Sequence, residues 1–149
     1  MKNIINDLPV IIEKYNLLLL QAGEEAFSRK PEPGRWSRKE ELGHLIDSAQ
    51  NNIQRFIRVQ YGDVQVVYDP DKWVQFNDYQ HIPLKDMIAL WYLLNKQICH
   101  ILVRMDPSYY EKTIDIGYDS PDKKTTRFVA EDYVQHMLHH LETIFKDNA

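Results

Sequence analysis

The sequence predicts an all-α fold, a four-helix bundle with long crossover connections. Four segments carry apolar residues at the helical spacings of three and four, and two of the stretches between them are long. Because long connections let consecutive helices lie on opposite sides of a bundle, this pattern indicates crossover links. With 149 residues, 44% of them apolar, the chain can bury its own core, and we interpret residues 1–149 as a single domain.

The first helix is predicted over residues 4–27 from one apolar stripe. Proline suits a first helical turn, so the regular helix is expected to begin at Pro9 rather than at Ile4. A link that contains proline and glycine, residues 30–35, ends this segment. The stripe consists of Ile5, Leu8, Ile12, Tyr15 and Leu19.

The second helix begins at a capping box formed by Ser37 and Glu40, in which each residue satisfies a free backbone N–H of the other. It is predicted to continue to about Tyr61, where Gly62 can end it. Residues 62–82 lack a clear period, and we interpret them as a long loop with a short helical turn.

The third helix is predicted over residues 83–105, with Pro83 in its first turn. Alternating apolar residues around Ile114 and Ile116, followed by a turn-like stretch, predict a small hairpin or extended excursion within residues 115–128. The last helix is expected over residues 129–146.

Charge and cysteine content narrow the class of protein. The net charge is −4 with no basic block, so we expect no nucleic-acid partner. The first apolar stretch is broken by Glu13 and Lys14, and no run approaches the roughly 18 apolar residues that span a bilayer. A single cysteine, Cys99, fits a reducing compartment and is interpreted as a buried, inert thiol. We therefore expect a cytoplasmic protein without a membrane partner.

Three histidines in the last helix suggest metal chemistry. His136 and His140 are four residues apart, so they stand on one helix face and can bind one metal ion through neutral imidazoles. His139 rotates outward to the charged side. Asp132, one turn before His136, could accept the second N–H of that imidazole. The pattern by itself leaves two interpretations open, a metal site and hydrogen-bonded core histidines.

A third ligand must come from another segment, and His44 in the second helix gives a conflicting signal. The helical wheel puts His44 opposite the apolar face, in a polar stripe with Ser48, Asn51 and Arg55, which predicts solvent exposure. Alternatively the stripe lines a cavity while the apolar face packs elsewhere, for example on a second subunit. Asn51 and Arg55 would then orient the substrate, since arginine can hold a carboxylate with two hydrogen bonds.

The two remaining histidines are weaker candidates. His81 lies in a loop before Pro83, where surface exposure is expected. His100 neighbours Cys99, but adjacent residues on a helix do not face each other, so a Cys-His pair is not expected.

Several short motifs in order along the chain resemble the DinB/YfiT-like superfamily. They are Trp36-Ser37, Gly43-His44-Leu45-Ile46-Asp47-Ser48 with Asn51 and Arg55-Phe56, Tyr68-Asp69-Pro70-Asp71-Lys72-Trp73, and His136-Met137-Leu138-His139-His140-Leu141. The resemblance implies a four-helix bundle that is commonly dimeric, so a homodimer is expected. It also implies a three-histidine metal site with His44, His136 and His140 as ligands, against the solvent position from the wheel. The expected ion is divalent, with zinc or nickel favoured over manganese or iron.

The resemblance also implies an activity on small molecules. Members are described as metal-dependent hydrolases, and relatives are thiol S-transferases that use bacillithiol, mycothiol or glutathione. We expect transfer of a low-molecular-weight thiol to an electrophilic small molecule. The alternatives are a metal-dependent hydrolase of a small amide or ester and a non-catalytic, stress-related metal-binding dimer. Tyr68, Trp73 and Phe76 could form an apolar lid over the substrate, or simply pack the loop.

Overall fold

Six α-helices and a small sheet are formed by residues 1–146, the part of the chain that the computed structural model describes. None of these helices is both long and apolar enough to cross a bilayer. In chain order the elements are α1 (Lys2–Leu19), α2 (Glu24–Ser28), α3 (Arg38–Arg58), β1 (Val64–Gln65), α4 (Pro70–Asn77), α5 (Leu84–Arg104), β2 (Thr113–Asp115), β3 (Lys123–Thr125) and α6 (Thr126–Phe145). Short 3₁₀ turns at Tyr79–His81 and Pro107–Tyr109 flank α5.

The four long helices form a bundle in which consecutive helices do not always touch. Helix α1 packs mainly against α5 and α6, and α3 packs mainly against the same two helices. The pairs α1 and α3, and α5 and α6, therefore lie across the bundle from each other. This arrangement confirms the predicted all-α bundle with crossover connections.

The first helical segment is broken, which corrects the prediction of one helix over residues 4–27. Helix α1 ends at Leu19, and α2 starts after Gly23, whose backbone is extended. The apolar stripe itself ends at Leu19, and Phe27 is rotated from Leu19 by about 80° on a continuous helix, so the period gave no support for extending the helix to Phe27. The start at Pro9 was also wrong: α1 begins at Lys2 and contains Pro9, because Met1 and Ile4 are buried in the core before the proline is reached.

Helix α3 begins as predicted. Ser37 Oγ accepts from the backbone N–H of Glu40 at 3.1 Å, and the Ser37 N–H donates to Glu40 Oε1 at 3.1 Å. The helix ends at Arg58, three residues before the predicted end, and the Gly62 N–H then donates to the Arg58 carbonyl at 3.0 Å.

The segment over residues 62–82 contains more structure than a loop with one turn. Helix α4 has eight residues, starts with Pro70 at its first position and is capped by Asp69, whose side chain accepts from the Lys72 N–H at 3.1 Å. It ends at Asn77, and the next residue, Asp78, has a left-handed backbone with φ 51°. The Asp-Pro start signal was present in the sequence, but eight residues are too few to display a helical period.

The predicted hairpin is confirmed and gains a third strand. Strand β2 pairs with β3 antiparallel, and β1 pairs with β2 parallel. The Asp115 carboxylate closes the turn by accepting from the N–H groups of Gly117 and Asp122 at 3.0 and 2.9 Å. Helix α6 follows β3 directly and starts at Thr126, three residues earlier than predicted, because Thr125 caps it by accepting from the Phe128 N–H at 3.1 Å.

A close contact joins α3 to the 3₁₀ turn that precedes α5. The ring of Tyr79 lies directly over Gly43, and its hydroxyl donates to Asp47 Oδ1, one turn further along α3, at 2.5 Å. Asn77 Nδ2 donates to the same oxygen at 3.1 Å. Burial raises the pKa of the Asp47 carboxyl to about 6, while the hydrogen bond from Tyr79 opposes this shift.

We expect Gly43→Ala to destabilise the fold by about 1–3 kcal/mol, a typical effect of overpacking. A methyl group at this position would overlap the buried Tyr79 ring, which its bond to Asp47 holds in place. Chemical denaturation measures the change. Gly62→Ala is the matched control, because a methyl group there meets nothing within 4 Å. Equal stability of Gly43→Ala and wild type would contradict the contact.

We expect Asp47→Asn to change how stability depends on pH. A carboxyl whose pKa is raised to about 6 binds its proton more tightly in the folded protein than in the unfolded chain. The protonated Asp47 carboxyl therefore stabilises the folded protein fully below pH 4, and this stabilisation is lost as pH rises through 6. The loss in unfolding free energy is about 3 kcal/mol at most. We measure the unfolding free energy of wild type and of Asp47→Asn from pH 4 to 7. The stability of wild type relative to Asp47→Asn should fall as the pH rises over this range. A difference that is flat with pH would refute the shift.

Candidate metal centre

Three histidines from two helices converge inside the bundle. His44 comes from α3, and His136 and His140 come from successive turns of α6. One ring nitrogen of each lies within 4.8 Å of the others, and Nε2 of His44 is 2.9 Å from Nε2 of His136. The ring centroids are 4.6 to 4.9 Å apart. The structure thus brings together the three residues that the family resemblance implies.

His44 is buried, with 5% of its surface exposed, so the solvent position from the helical wheel was wrong. Helix α3 contacts α5, α6 and α4, and its polar stripe therefore faces protein as well. Ser48 and Asn51 in that stripe are also buried. The apolar face of α3 packs within the same chain, which removes the reason for placing it on a second subunit.

The environment keeps two of the imidazoles neutral. Burial, followed by repulsion from His136 and His140, lowers the pKa of His44 to about 3. Burial is also the largest cause for His136, whose pKa is lowered to about 4. Both rings therefore carry an unprotonated nitrogen at neutral pH, which is the form that binds metals. Trp36 packs on the His44 ring with a centroid separation of 5.1 Å.

A carboxylate that sequence reasoning missed supports the third histidine. Nδ1 of His140 is 2.5 Å from Oε2 of Glu41, so this nitrogen carries a proton, and in the neutral tautomer that results Nε2 has the free lone pair. The sequence signal was the position of Glu41, one turn before His44 on the same helix. The expected carboxylate was Asp132 for His136; Asp132 lines the same pocket as His136, but within residues 1–146 the two make no hydrogen bond.

A polar cavity of about 100 Å³ opens beside His136. Arg55 lines it but is already held by the structure: its Nε and Nη2 donate to the Val66 carbonyl at 3.1 and 2.6 Å, and Nη1 donates to Asn52 at 3.3 Å. Asn51 does not line this cavity, and its side chain donates to the Asp47 carbonyl at 2.9 Å. The other polar residues of the cavity are Ser48, Asn52, Tyr68, Asp132 and Tyr133.

The loop aromatics divide between the cavity and the surface. Tyr68 lines the cavity and packs against Trp73 with ring centroids 5.7 Å apart. Phe76 is 78% exposed, and together with Trp73 it lines a separate pocket along α4. Of the three residues expected in a lid, Tyr68 is therefore the one that lies beside His136.

The remaining histidines and the cysteine lie outside the cluster. His139 and His81 are exposed, as the sequence predicted, and His100 is exposed as well. Burial raises the pKa of the partly buried Cys99 thiol to about 11, so it is protonated at neutral pH and a poor nucleophile.

Fold and site together define a class: a crossover four-helix bundle with three converging histidines between two of its helices. A sequence model of the DinB superfamily matches residues 12–144, and the chain belongs to this superfamily. No curated protein sequence matches the chain significantly.

Two solved structures from Bacillus subtilis have the same fold. YfiT, described as a probable metal-dependent hydrolase with an unusual four-helix bundle topology, superposes with a TM-score of 0.85 at 19% identity, covering 97% of this chain and 83% of YfiT. The DinB-like protein YjoA superposes with a TM-score of 0.67 at 18% identity, covering 96% of this chain and 88% of YjoA.

Proposed function

We propose that His44, His136 and His140 bind one divalent metal ion and that the protein is a metal-dependent enzyme acting on small molecules. The observation that carries this proposal is the convergence of three imidazoles, two of them held neutral, with two Nε2 atoms 2.9 Å apart. Imidazole nitrogens bound at about 2.0–2.1 Å to one tetrahedral ion are about 3.3 Å apart, a few tenths of an ångström more than this pair. The donor set therefore fits such an ion.

Each histidine would use its Nε2 atom. For His140 this follows from the bond between its Nδ1 and Glu41, an arrangement that fixes the tautomer and orientation of metal-binding histidines. Imidazole ligands favour zinc or nickel, with manganese or iron as weaker choices. When bound, the ion would act as a Lewis acid that lowers the pKa of a water molecule or a thiol.

The nucleophile would come from outside the protein. Within residues 1–146 the one cysteine, Cys99, is protonated and is not part of the histidine cluster. We propose a low-molecular-weight thiol, which the superfamily resemblance suggests. The thiol would lose its proton, and its sulfur would form a bond to an electrophilic carbon while the leaving group departs with its bonding electrons.

The chain itself would bind and orient the substrate in the cavity beside His136. Arg55 is fixed by Val66 and Asn52, so its remaining N–H groups point in defined directions toward a polar substrate group. Tyr68 and Trp73 would cover the substrate and exclude water. Asn51 would act indirectly, by holding the α3 backbone at Asp47.

A hydrolase is the second candidate, and the likeness to YfiT favours it. In this version water replaces the thiol as the nucleophile, and the substrate is a small amide or ester. Both candidates share the histidine site and differ only in the nucleophile.

We expect about one divalent ion per chain in untagged wild type, and loss of that ion in His44→Ala. Truncating His44 removes one of three ligands and leaves a pair that binds weakly. Elemental analysis after dialysis against zinc, nickel or manganese measures the content. His139→Ala is the matched control, because it removes an exposed histidine that stands next to His140 on α6 but outside the three-histidine cluster. Wild type that takes up none of these metals would refute the site.

We expect Glu41→Gln to weaken metal affinity by roughly 10- to 100-fold, the usual cost of losing a carboxylate behind a ligating histidine. The amide still fits, but it no longer draws the proton of His140 as strongly. Competition with a chromophoric chelator measures the affinity. The control is Glu142→Gln, which neutralises an exposed carboxylate on α6. Equal losses in both variants would mean that bulk charge, not the contact with His140, is responsible.

Activity separates the candidates. Consumption of an electrophile that requires both metal and thiol, and falls at least 100-fold in His136→Ala, is expected for the transferase. Metal-dependent cleavage of an amide or ester without thiol would establish the hydrolase. Metal binding with neither reaction across broad substrate panels would favour the non-catalytic metal-binding protein.

A further inference from the structure

A second cavity, of about 290 Å³, lies between the end of α2, the link before α3 and the last turn of α6. It shares no lining residue with the cavity beside His136. Trp36 and Glu41 form part of its wall, and they contact His44 and His140 respectively. The second cavity is therefore separated from the histidine cluster by a single layer of side chains.

Three arginines surround this cavity in a protein whose net charge is −4. Arg29 follows α2, Arg35 lies in the link, and Arg38 is the first residue of α3. Arg35 is 3.8 Å from exposed Glu32, whereas Arg29 and Arg38 form no salt bridge to any residue in 1–146. Glu41, the acidic residue among those lining the cavity, is engaged by His140. The cavity thus carries an excess of positive charge.

The inner surface of the same cavity is partly apolar. The indole of Trp36 lines it, and so does Ile144, which is buried in the core. A guanidinium group binds a carboxylate with two parallel hydrogen bonds, and an indole face packs well against an aromatic or aliphatic body. Free inorganic phosphate would use only the charges and leave the apolar wall uncovered.

We infer that the cavity lined by Arg29, Arg35, Arg38 and Trp36 binds a small organic carboxylate with an apolar body. The carboxylate lies between the guanidinium groups, and the body lies against Trp36 and Ile144. This site goes beyond the proposed function, because it needs neither a metal ion nor turnover.

Benzoate is a suitable probe, and calorimetry on the full chain, freed of metal with a chelator, measures its binding. We expect a dissociation constant on the order of 1 mM, which weakens as salt is added. Arg38→Gln and Arg29→Gln should each weaken binding by roughly tenfold or more. Arg104→Gln is the matched control: it removes the same charge from an exposed position at the end of α5.

Circular dichroism and thermal unfolding verify that each variant is folded, and Arg29, which lies outside any helix, provides the safer substitution. Benzamide, the neutral analogue, should bind much more weakly than benzoate. Equal binding of benzamide, or equal losses in Arg29→Gln and Arg104→Gln, would overturn the role of the arginines. Inorganic phosphate that binds as tightly as benzoate would overturn the role of the apolar wall, and no saturable binding of benzoate would overturn the site. Because the protein is metal-free, these results do not depend on the histidine site.

Discussion

The burial of a polar face of α3 is the constraint on which the rest of the structure depends. Helix α3 contacts four other helices, α2, α4, α5 and α6, so polar side chains that a surface helix would expose lie inside the bundle. Buried polar groups destabilise a fold unless they find partners. Two asparagines solve this locally by donating back to their own helix, Asn51 to the Asp47 carbonyl and Asn52 to the Ser48 carbonyl.

The same burial shapes the chemistry of the histidines. Removal from water and the closeness of the three rings hold His44 and His136 in their neutral form, which is the form of imidazole that binds metal ions. The crossover topology contributes directly, since it places α6 beside α3 although they are far apart in the sequence. Glu41 completes the arrangement by fixing the tautomer of His140.

Cavities lie on two sides of this cluster and differ in character. The one beside His136 is small and polar and contains an arginine that is held by the Val66 carbonyl. The one beyond Trp36 is larger, cationic at its rim and apolar within. Trp36 and Glu41 stand between the second cavity and the histidines, so each of these residues belongs to both environments.

The sequence by itself determined the elements whose causes are local: the capping box at Ser37, the four long amphipathic segments, the hairpin, and the shared face of His136 and His140. Tertiary structure decided the break after Leu19, the parallel pairing of β1, the burial of His44 and the partnership of Glu41 with His140. The physical reason is that periodicity reports which face of a helix is apolar, not how many neighbours surround it. A helical wheel therefore predicts that a polar stripe is exposed to solvent, even when the chain topology packs a second helix against that stripe.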